Sequence, residues 1–551
     1  MPKWFASERM GSVRRALGRV DPLGLAGAMA QVGARTATNA LPRRMADLGV
    51  ELTKVAAGRS SITPDAKDWR FENRAWKENP FYHRLCQAYL AWTRIALELV
   101  DDAQFDWRTA ERAKLATILV TAALAPTNSP FLNPDAIERA YETGGRSVVT
   151  GLRNISRDVV SNGGLPRFVD RDAFVVGRDL AVSPGAVVFR NEVCELLQFA
   201  PATDTVHATP LVMVPPQINK YYFMDLAPGR SFVEFCVQQG FQMFTISWRN
   251  PTEEHRDWGL TTYVDAVNDA VHAACEIAGT DQANTVSLCA GGITTAALLG
   301  HLASKQDDLI HCATFAVTLL DFTVPTMIGL LASPAIVENA RRSTKRSGVL
   351  PARHASALFS MLRPNDLIWN YWVRNNLMGE DPPTFDVLAW NADSTRLPAA
   401  LHADFLDIFL HNTLATGSCA VHGSPIDLSK VECDSFVVGA RTDHLTAWKA
   451  CYATTQLLGG TSQFALSSSG HIQSLVNPPG NPRMNVATAE VNDADPDRWL
   501  STTTPVTGSW WEPWAVWAAA RSGGRHPARA SLGSAVHPPG DPAPGCYVFA
   551  P

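Results

Sequence analysis

From Asn79 to about Asp106, Leu85, Tyr89, Trp92, Ile95, Leu97 and Leu99 recur at helical intervals among charged and polar positions. Asn133-Pro134-Asp135 carries a capping side chain followed by a proline, which predicts a helix start, and Gly144-Gly145 predicts its end. Residues 1–75 are rich in Arg, Ala and Gly with weak periodicity, so a partly disordered or loosely helical segment is expected there. Residues 76–185 are expected to form a helical domain. Near residue 186 the pattern changes. Ala186–Phe189, Leu211–Val214 and Phe241–Ile246 are short apolar, β-rich runs, separated by Pro/Gly/Asn punctuation and by helical stretches such as Ser231–Gln239. Further strands are predicted at Thr285–Leu288, Cys312–Val317, Ser435–Val438 and Gln463–Leu466. Strands alternating with helices predict an α/β domain over residues 186–525, with a mainly parallel sheet and helices on both faces. The rhythm breaks between about 325 and 425 into a Trp- and Asn-rich insertion, too long for a loop and expected to form a cap. The tail, 526–551, is rich in Pro and Gly.

Composition narrows the function classes. A chain of 551 residues with 46% hydrophobic and 18% charged positions is long enough for two to four units around a large core. A net charge of −5 gives no footprint for nucleic acid. Ten cysteines without CxxC pairs or zinc-like spacing argue against a disulfide scaffold or a metal centre, and favour a reducing compartment. Arg14-Arg15 precede an Ala/Gly/Leu stretch, but Arg19, Asp21 and Pro22 interrupt it, which excludes an export signal. The stretch from Thr314 to Val337 is the nearest approach to a membrane span, and it contains Asp321, Pro325 and Pro334. A soluble cytoplasmic protein with no metal and no bound cofactor is expected.

The chemistry is concentrated at Asn284-Thr285-Val286-Ser287-Leu288-Cys289-Ala290-Gly291-Gly292, where a β-rich run enters a small-residue turn and then a helix. This is the context of a nucleophile elbow, G-x-S-x-G, with Cys289 in the serine position and Ser287 where the first glycine normally stands. An arbitrary cysteine is most often an inert buried thiol. Cys289 alone among the ten lies between a β-rich run and a Gly-Gly helix start, where a helix N-terminus favours a thiolate.

In an α/β-hydrolase fold an acid then follows a later strand and a histidine follows the last one. Asp434 to Asp443 is such a strand and loop acid, and Gln463 to His471 is such a strand and loop histidine. Cys289, Asp443 and His471 are the expected catalytic group. His444, next to the acid, is a secondary candidate for the base, whereas His422 and His402 have no such placement. The oxyanion hole is expected to use the backbone N–H of Ala290 and one from the loop after Leu211–Val214, near Pro216-Gln217-Ile218; Ile218 is the candidate named, and because the prolines there have no N–H the donor stays open at this point.

The residues at these positions resemble the polyhydroxyalkanoate synthases. The resemblance rests on Val214–Tyr222, on Phe244–Pro251, on Asn365–Trp372, on Trp390–Pro398 and on the segments around Asp443 and His471. It runs from about Asn79 to Trp517. The stretch through Gly508-Ser509-Trp510-Trp511 looks most like the single-subunit, medium-chain (class II) branch. The resemblance implies polymerisation of (R)-3-hydroxyacyl-coenzyme A through a cysteine-bound acyl thioester, with coenzyme A as leaving group, a homodimer, and association with polyester granules. It also implies that Asp443 activates the chain-end hydroxyl, directly or through His471. Two rivals remain at this stage: a thioesterase or depolymerase of the same fold using water as acceptor, and a non-catalytic granule-coating protein.

Overall fold

A computed structural model describes residues 24–330 and 333–550. The chain divides into two compact units, one holding the described residues up to Asp170 together with Ser356–Phe385, the other Arg171–Ala355 with the residues from Asp386 onward.

The first unit is helical. Leu25–Thr36 (α1) and Ala40–Ala56 (α2) pack on Trp107–Ala123 (α4) and Pro80–Asp102 (α3) respectively. Residues 25–56 are thus ordered helix, where weak periodicity predicted a looser segment; residues 1–23 lie outside the described residues. The missing signal is physical: each helix buries only a few side chains, such as Ala28 and Val32 in α1 and Leu48 and Val55 in α2. The helix starts follow their caps. The Asn79 side chain accepts from the Phe81 N–H with Pro80 in the first turn, and Asn133 accepts from the Ala136 N–H ahead of Pro134–Glu142 (α5). Gly144 and Gly145 then take positive φ values of 58° and 84°, which end α5 and admit Arg146–Ser161 (α6).

Part of the expected cap belongs to this unit. Ser356–Phe385 clusters with the helices because Trp372–Leu377 lies directly on α6. Asn154 donates to the Asn375 carbonyl at 2.8 Å, Asn375 donates to the Arg167 carbonyl at 2.6 Å, and the Trp372 indole donates to the Asn128 carbonyl at 3.0 Å. Gly151 is required for this approach, since a Cβ there would collide with the Asn376 carbonyl.

The second unit is built on a ten-stranded sheet. Its strands in chain order are Gly185–Arg190 (β1), Cys194–Phe199 (β2), Leu211–Val214 (β3), Met243–Trp248 (β4), Ala283–Leu288 (β5), Ile310–Ala316 (β6), Asp434–Ala440 (β7), Ser462–Ser467 (β8), Asn485–Glu490 (β9) and Val506–Thr507 (β10). The spatial order is β1-β2-β4-β3-β5-β6-β7-β8-β9-β10. Strands β3 to β8 run parallel, and β1, β2, β9 and β10 join antiparallel at the two sides. The histidine-bearing strand β8 is therefore the last parallel strand, but two further strands follow it, which the sequence reading omitted.

The central strands are buried on both faces, which is why their sequences run apolar without alternation. Along β7, Val437 joins the core formed with Leu260–Ala278 (α7) and Ala290–Lys305 (α8). Its neighbour Phe436 meets Trp517, 5.4 Å between ring centroids, on the opposite face. The Thr314–Val337 stretch divides into the end of β6, a turn and the helices Met327–Leu330 and Pro334–Ser347. Among the described residues no helix is long and apolar enough to cross a membrane. The Pro/Gly-rich tail covers the edge of β1: the Val187 N–H donates to the Asp541 carbonyl and the Gly540 N–H to the Val187 carbonyl, both at 2.8 Å.

Replacing Gly151 with Ala should destabilise the helical unit by about 1–3 kcal/mol through the forced overlap with residue 376. Equilibrium urea unfolding measures it; an unchanged midpoint would mean that the two backbones do not meet.

Candidate active site

Cys289 sits between the end of β5 and the start of α8, with φ 49° and ψ −118°. A non-glycine residue in this region is strained, at a cost of order 1–3 kcal/mol, and persists only when its surroundings fix it. They do. The Cys289 N–H donates to the Ala316 carbonyl at 3.0 Å, and its carbonyl accepts from the Gly292 N–H at 3.0 Å and the Thr318 hydroxyl at 3.2 Å. The two glycines are required by close approach: a Cβ on Gly291 would strike the carbonyls of Val214 and Pro215, and one on Gly292 would strike the Thr318 side chain. Ser287, the departure from the usual motif, is fully buried and donates its hydroxyl to Thr295 at 2.8 Å, so the extra oxygen is satisfied on the first turns of α8.

The acid lies in the loop after β7 and the histidine after β8. The Thr442 N–H donates to the Ser469 carbonyl at 3.1 Å, which ties these loops together. His471 Nδ1 meets Asp443 Oδ2 at 2.6 Å. The rest of the carboxylate is occupied by the N–H groups of Leu445 at 2.7 Å and Thr446 at 3.0 Å and by the Thr446 hydroxyl at 2.6 Å. The Cys289 side chain lies close enough to the ring to raise its basicity. With Nδ1 engaged by Asp443, Nε2 is the nitrogen left for sulfur.

Burial alone would lower the basicity of His471, but the charge of Asp443, its hydrogen bond and the contact with Cys289 outweigh it and push the ring up to about 10. Burial likewise opposes ionisation of Asp443, and the His471 charge and the Thr446 bonds hold it below the usual carboxylate range. The sign for stability follows. The His471 contribution is complete below its unfolded value near 6.5 and is lost as pH rises through about 10. The Asp443 contribution is present above its unfolded value and is lost as pH falls through the depressed folded one.

Asp443 pairs with His471, while the neighbouring His444 is half-buried and takes no part in that bond. His422 pairs with Asp265 at 2.7 Å, and His402, lowered to about 4 by burial and Arg341, meets the Thr344 hydroxyl. Of the other sulfurs, Cys451 comes near the group, but burial keeps its thiol well above the ordinary value and it donates to the Thr446 carbonyl.

Ala290 opens α8, so its N–H has no carbonyl one turn earlier in the helix. The loop after β3 is tethered beside it: the Gln217 side chain donates to the Thr294 hydroxyl at 2.8 Å, the Gln217 carbonyl accepts from the Thr395 hydroxyl at 2.6 Å, and the Ile218 carbonyl accepts from the Thr395 N–H at 3.3 Å.

Several residues that support the site were given no such role by sequence reasoning, which quoted Trp510 and Trp511 only for the family resemblance. Thr446 bonds the acid, Thr318 bonds the elbow carbonyl, and Trp510 and Trp511 donate to the Ser474 and Leu475 carbonyls of the short helix that His471 opens. The Thr-Asp-His-Leu-Thr string and the paired tryptophans carried the signal, but only the fold gives each residue its partner.

A cysteine after β5, an aspartate after β7 and a histidine after β8 on this strand order fit an α/β-hydrolase fold, and the profile of the alpha/beta hydrolase fold matches residues 212–478. The profile of the poly-beta-hydroxybutyrate polymerase (PhaC) N-terminus matches residues 67–236. The chain is 46% identical to poly(3-hydroxyalkanoate) polymerase 2 of Ectopseudomonas oleovorans, covering 91% of this chain and 90% of the relative. It is 43% identical to polymerase 1 of the same organism (92% and 90% covered), and 36% to the poly(3-hydroxyalkanoate) polymerase subunit of Cupriavidus necator (99% and 95%). The chain belongs to the poly(3-hydroxyalkanoate) polymerases, a family of acyltransferases. Solved structures that it resembles include a monoacylglycerol lipase of Paleococcus ferrophilus, at 12% identity over 60% of this chain and 99% of that one, with a TM-score of 0.34. An esterase of Thermogutta terrifontis matches at 14% identity over 53% and 92%, with a TM-score of 0.29.

Histidine NMR tests the electrostatics. The His471 ring should remain protonated through neutrality and titrate near pH 10. In Asp443→Asn, with the charge gone and burial unopposed, it should titrate below about 6.5. Equal titration in both proteins would contradict the assigned cause.

Proposed function

We propose that the chain polymerises (R)-3-hydroxyacyl-coenzyme A into polyester, with Cys289 as nucleophile, His471 as base and Asp443 as the acid that stabilises the imidazolium. The observation that carries this reading is the buried 2.6 Å bond between His471 and Asp443, with Cys289 close enough to the same ring to raise its basicity. The raised basicity of His471 favours transfer of the thiol proton to Nε2, and the thiolate attacks the substrate thioester. The oxyanion of the tetrahedral intermediate takes hydrogen bonds from the Ala290 N–H and from an N–H of the tethered loop, assigned to Ile218. Coenzyme A departs as the thiol, carrying the proton from His471, and the acyl group remains on sulfur.

Sulfur suits a polymerase. Exchange of one thioester for another is nearly balanced in free energy, so the acyl group stays activated on the enzyme. The 3-hydroxyl of a second monomer or chain end then attacks, giving an oxygen ester in the downhill step and returning Cys289. His471, supported by Asp443, accepts the hydroxyl proton. Exclusion of water favours the hydroxyl over hydrolysis, and the segment Trp390–Pro398, bonded to Gln217 and Ile218 at the carboxyl ends of the strands, is suited to shielding the site. Higher identity to the two Ectopseudomonas oleovorans enzymes than to the Cupriavidus necator one supports placement with the single-subunit, medium-chain branch. Residence on polyester granules in the cytoplasm and a homodimer complete the proposal by family resemblance.

With 3-hydroxydecanoyl-CoA, Cys289→Ala should release coenzyme A at least about 10³-fold more slowly than the parent protein. His471→Gln should lose at least about 10²-fold, and His444→Gln less than about fivefold. The reverse ranking of the histidines would reassign the base. Isolation of free 3-hydroxy acid instead of polymer would convert the reading to a thioesterase.

A further inference from the structure

Three stretches distant in sequence meet at one nearly buried ammonium, that of Lys220, whose side chain is 9% exposed. Its Nζ lies 2.8 Å from Asp393 Oδ1 and donates to the Val548 carbonyl at 2.6 Å. The other Asp393 oxygen accepts from the Tyr222 hydroxyl at 2.8 Å, and the Lys220 carbonyl accepts from the Trp390 indole at 2.8 Å. Asn250, just past β4, bridges the same two segments at other residues: its Oδ1 accepts from the Arg396 N–H at 3.0 Å and its Nδ2 donates to the Ala550 carbonyl at 3.4 Å.

The tail is held from behind by a second buried charge. Glu195 is fully buried in β2; it pairs with Arg190 at 2.6 Å and accepts from the N–H groups of Cys546 at 3.0 Å and Tyr547 at 2.9 Å. The Tyr547 hydroxyl donates to the Asn191 carbonyl at 2.7 Å. The tail is thus latched so that the carbonyls of Val548 and Ala550 meet Lys220 and Asn250.

Taking an ammonium out of water is unfavourable until its partners compensate, and an apolar side chain of the same length would fill the space without that cost. The reaction described above gives Lys220 no chemical role. What the charge does is fix geometry. Lys220 stands two residues after Ile218, on the loop that Thr395 and Thr294 also tether. We propose that Lys220 is a positioning residue, and that the C-terminal segment acts through it to hold the loop after β3 where its N–H meets the developing oxyanion. The proposal rests on the acyl-transfer reading. A donor that serves only the tetrahedral intermediate loses most of its value when displaced by a fraction of an ångström.

The test compares the full chain, Lys220→Met, a chain ending at Tyr547, and the two changes combined. The readouts are kcat and KM for coenzyme A release from 3-hydroxydecanoyl-CoA and the rate of Cys289 alkylation by iodoacetamide. Lys220→Met should lower kcat about 10–100-fold, with KM within about threefold and the alkylation rate within about twofold, because alkylation passes through no oxyanion. The shortened chain should fall similarly, and the combined protein should be no slower than the slower single change, since both break one knot. Unchanged kcat, additive losses, or loss of alkylation in step with kcat would each overturn the proposal. If the unaltered chain releases no coenzyme A, the fault lies with the acyl-transfer reading itself and the proposal falls with it.

Discussion

The backbone of Cys289, at the turn from β5 into α8, is held at a positive φ that an L-residue avoids. Its strain is tolerated because bonds from Thr318 and Gly292 and to Ala316 leave the peptide no alternative, and because glycine at 291 and 292 lets α8 approach β3 and Thr318. The elements around it serve the same end: β5 delivers the cysteine, β7 the acid and β8 the histidine, all at the same ends of parallel strands.

Charge completes what the bend begins. Asp443 is nearly buried, yet its oxygens are met by two backbone N–H groups, a threonine hydroxyl and the imidazole, so ionisation is retained against desolvation. That retained charge makes His471 more basic than an exposed histidine. The sulfur, meanwhile, is only partly buried, in contrast to Cys451, Cys236 and Cys194, whose thiols burial holds in the protonated form. A common side chain becomes distinctive here through position.

Much of this was legible along the chain, and the exceptions have physical causes. The runs at Leu211–Val214 and Thr285–Leu288 announce central strands because apolar and β-branched residues fill both faces. Strand β2, with Glu195 and Gln198 among apolar residues, gives no such signal; its buried polar groups are matched by Arg190, Cys546, Tyr547 and Gly533, from segments as far as about 350 positions away. Strand β9, Asn485 to Glu490, is half polar because it flanks the parallel core, and its alternation is too weak to separate from loop. The order cysteine, acid, histidine was readable because the fold imposes it. The Thr446, Trp510 and Trp511 bonds were not, since each depends on which carbonyl or carboxylate a distant loop presents. The expected cap divides between the two units because contacts of Trp372 and Asn375 with the helices, invisible in periodicity, outweigh proximity in sequence.

The central claim is that the thiol at the bend carries the acyl group, and a substrate that acylates without elongating isolates that event. Decanoyl-CoA has the thioester and lacks the 3-hydroxyl. Incubation followed by intact mass and peptide mapping should find one decanoyl adduct, on the peptide containing Cys289, with formation slowed strongly in Asp443→Asn. Release of coenzyme A with no adduct at Cys289, or an adduct confined to another cysteine, would contradict the account.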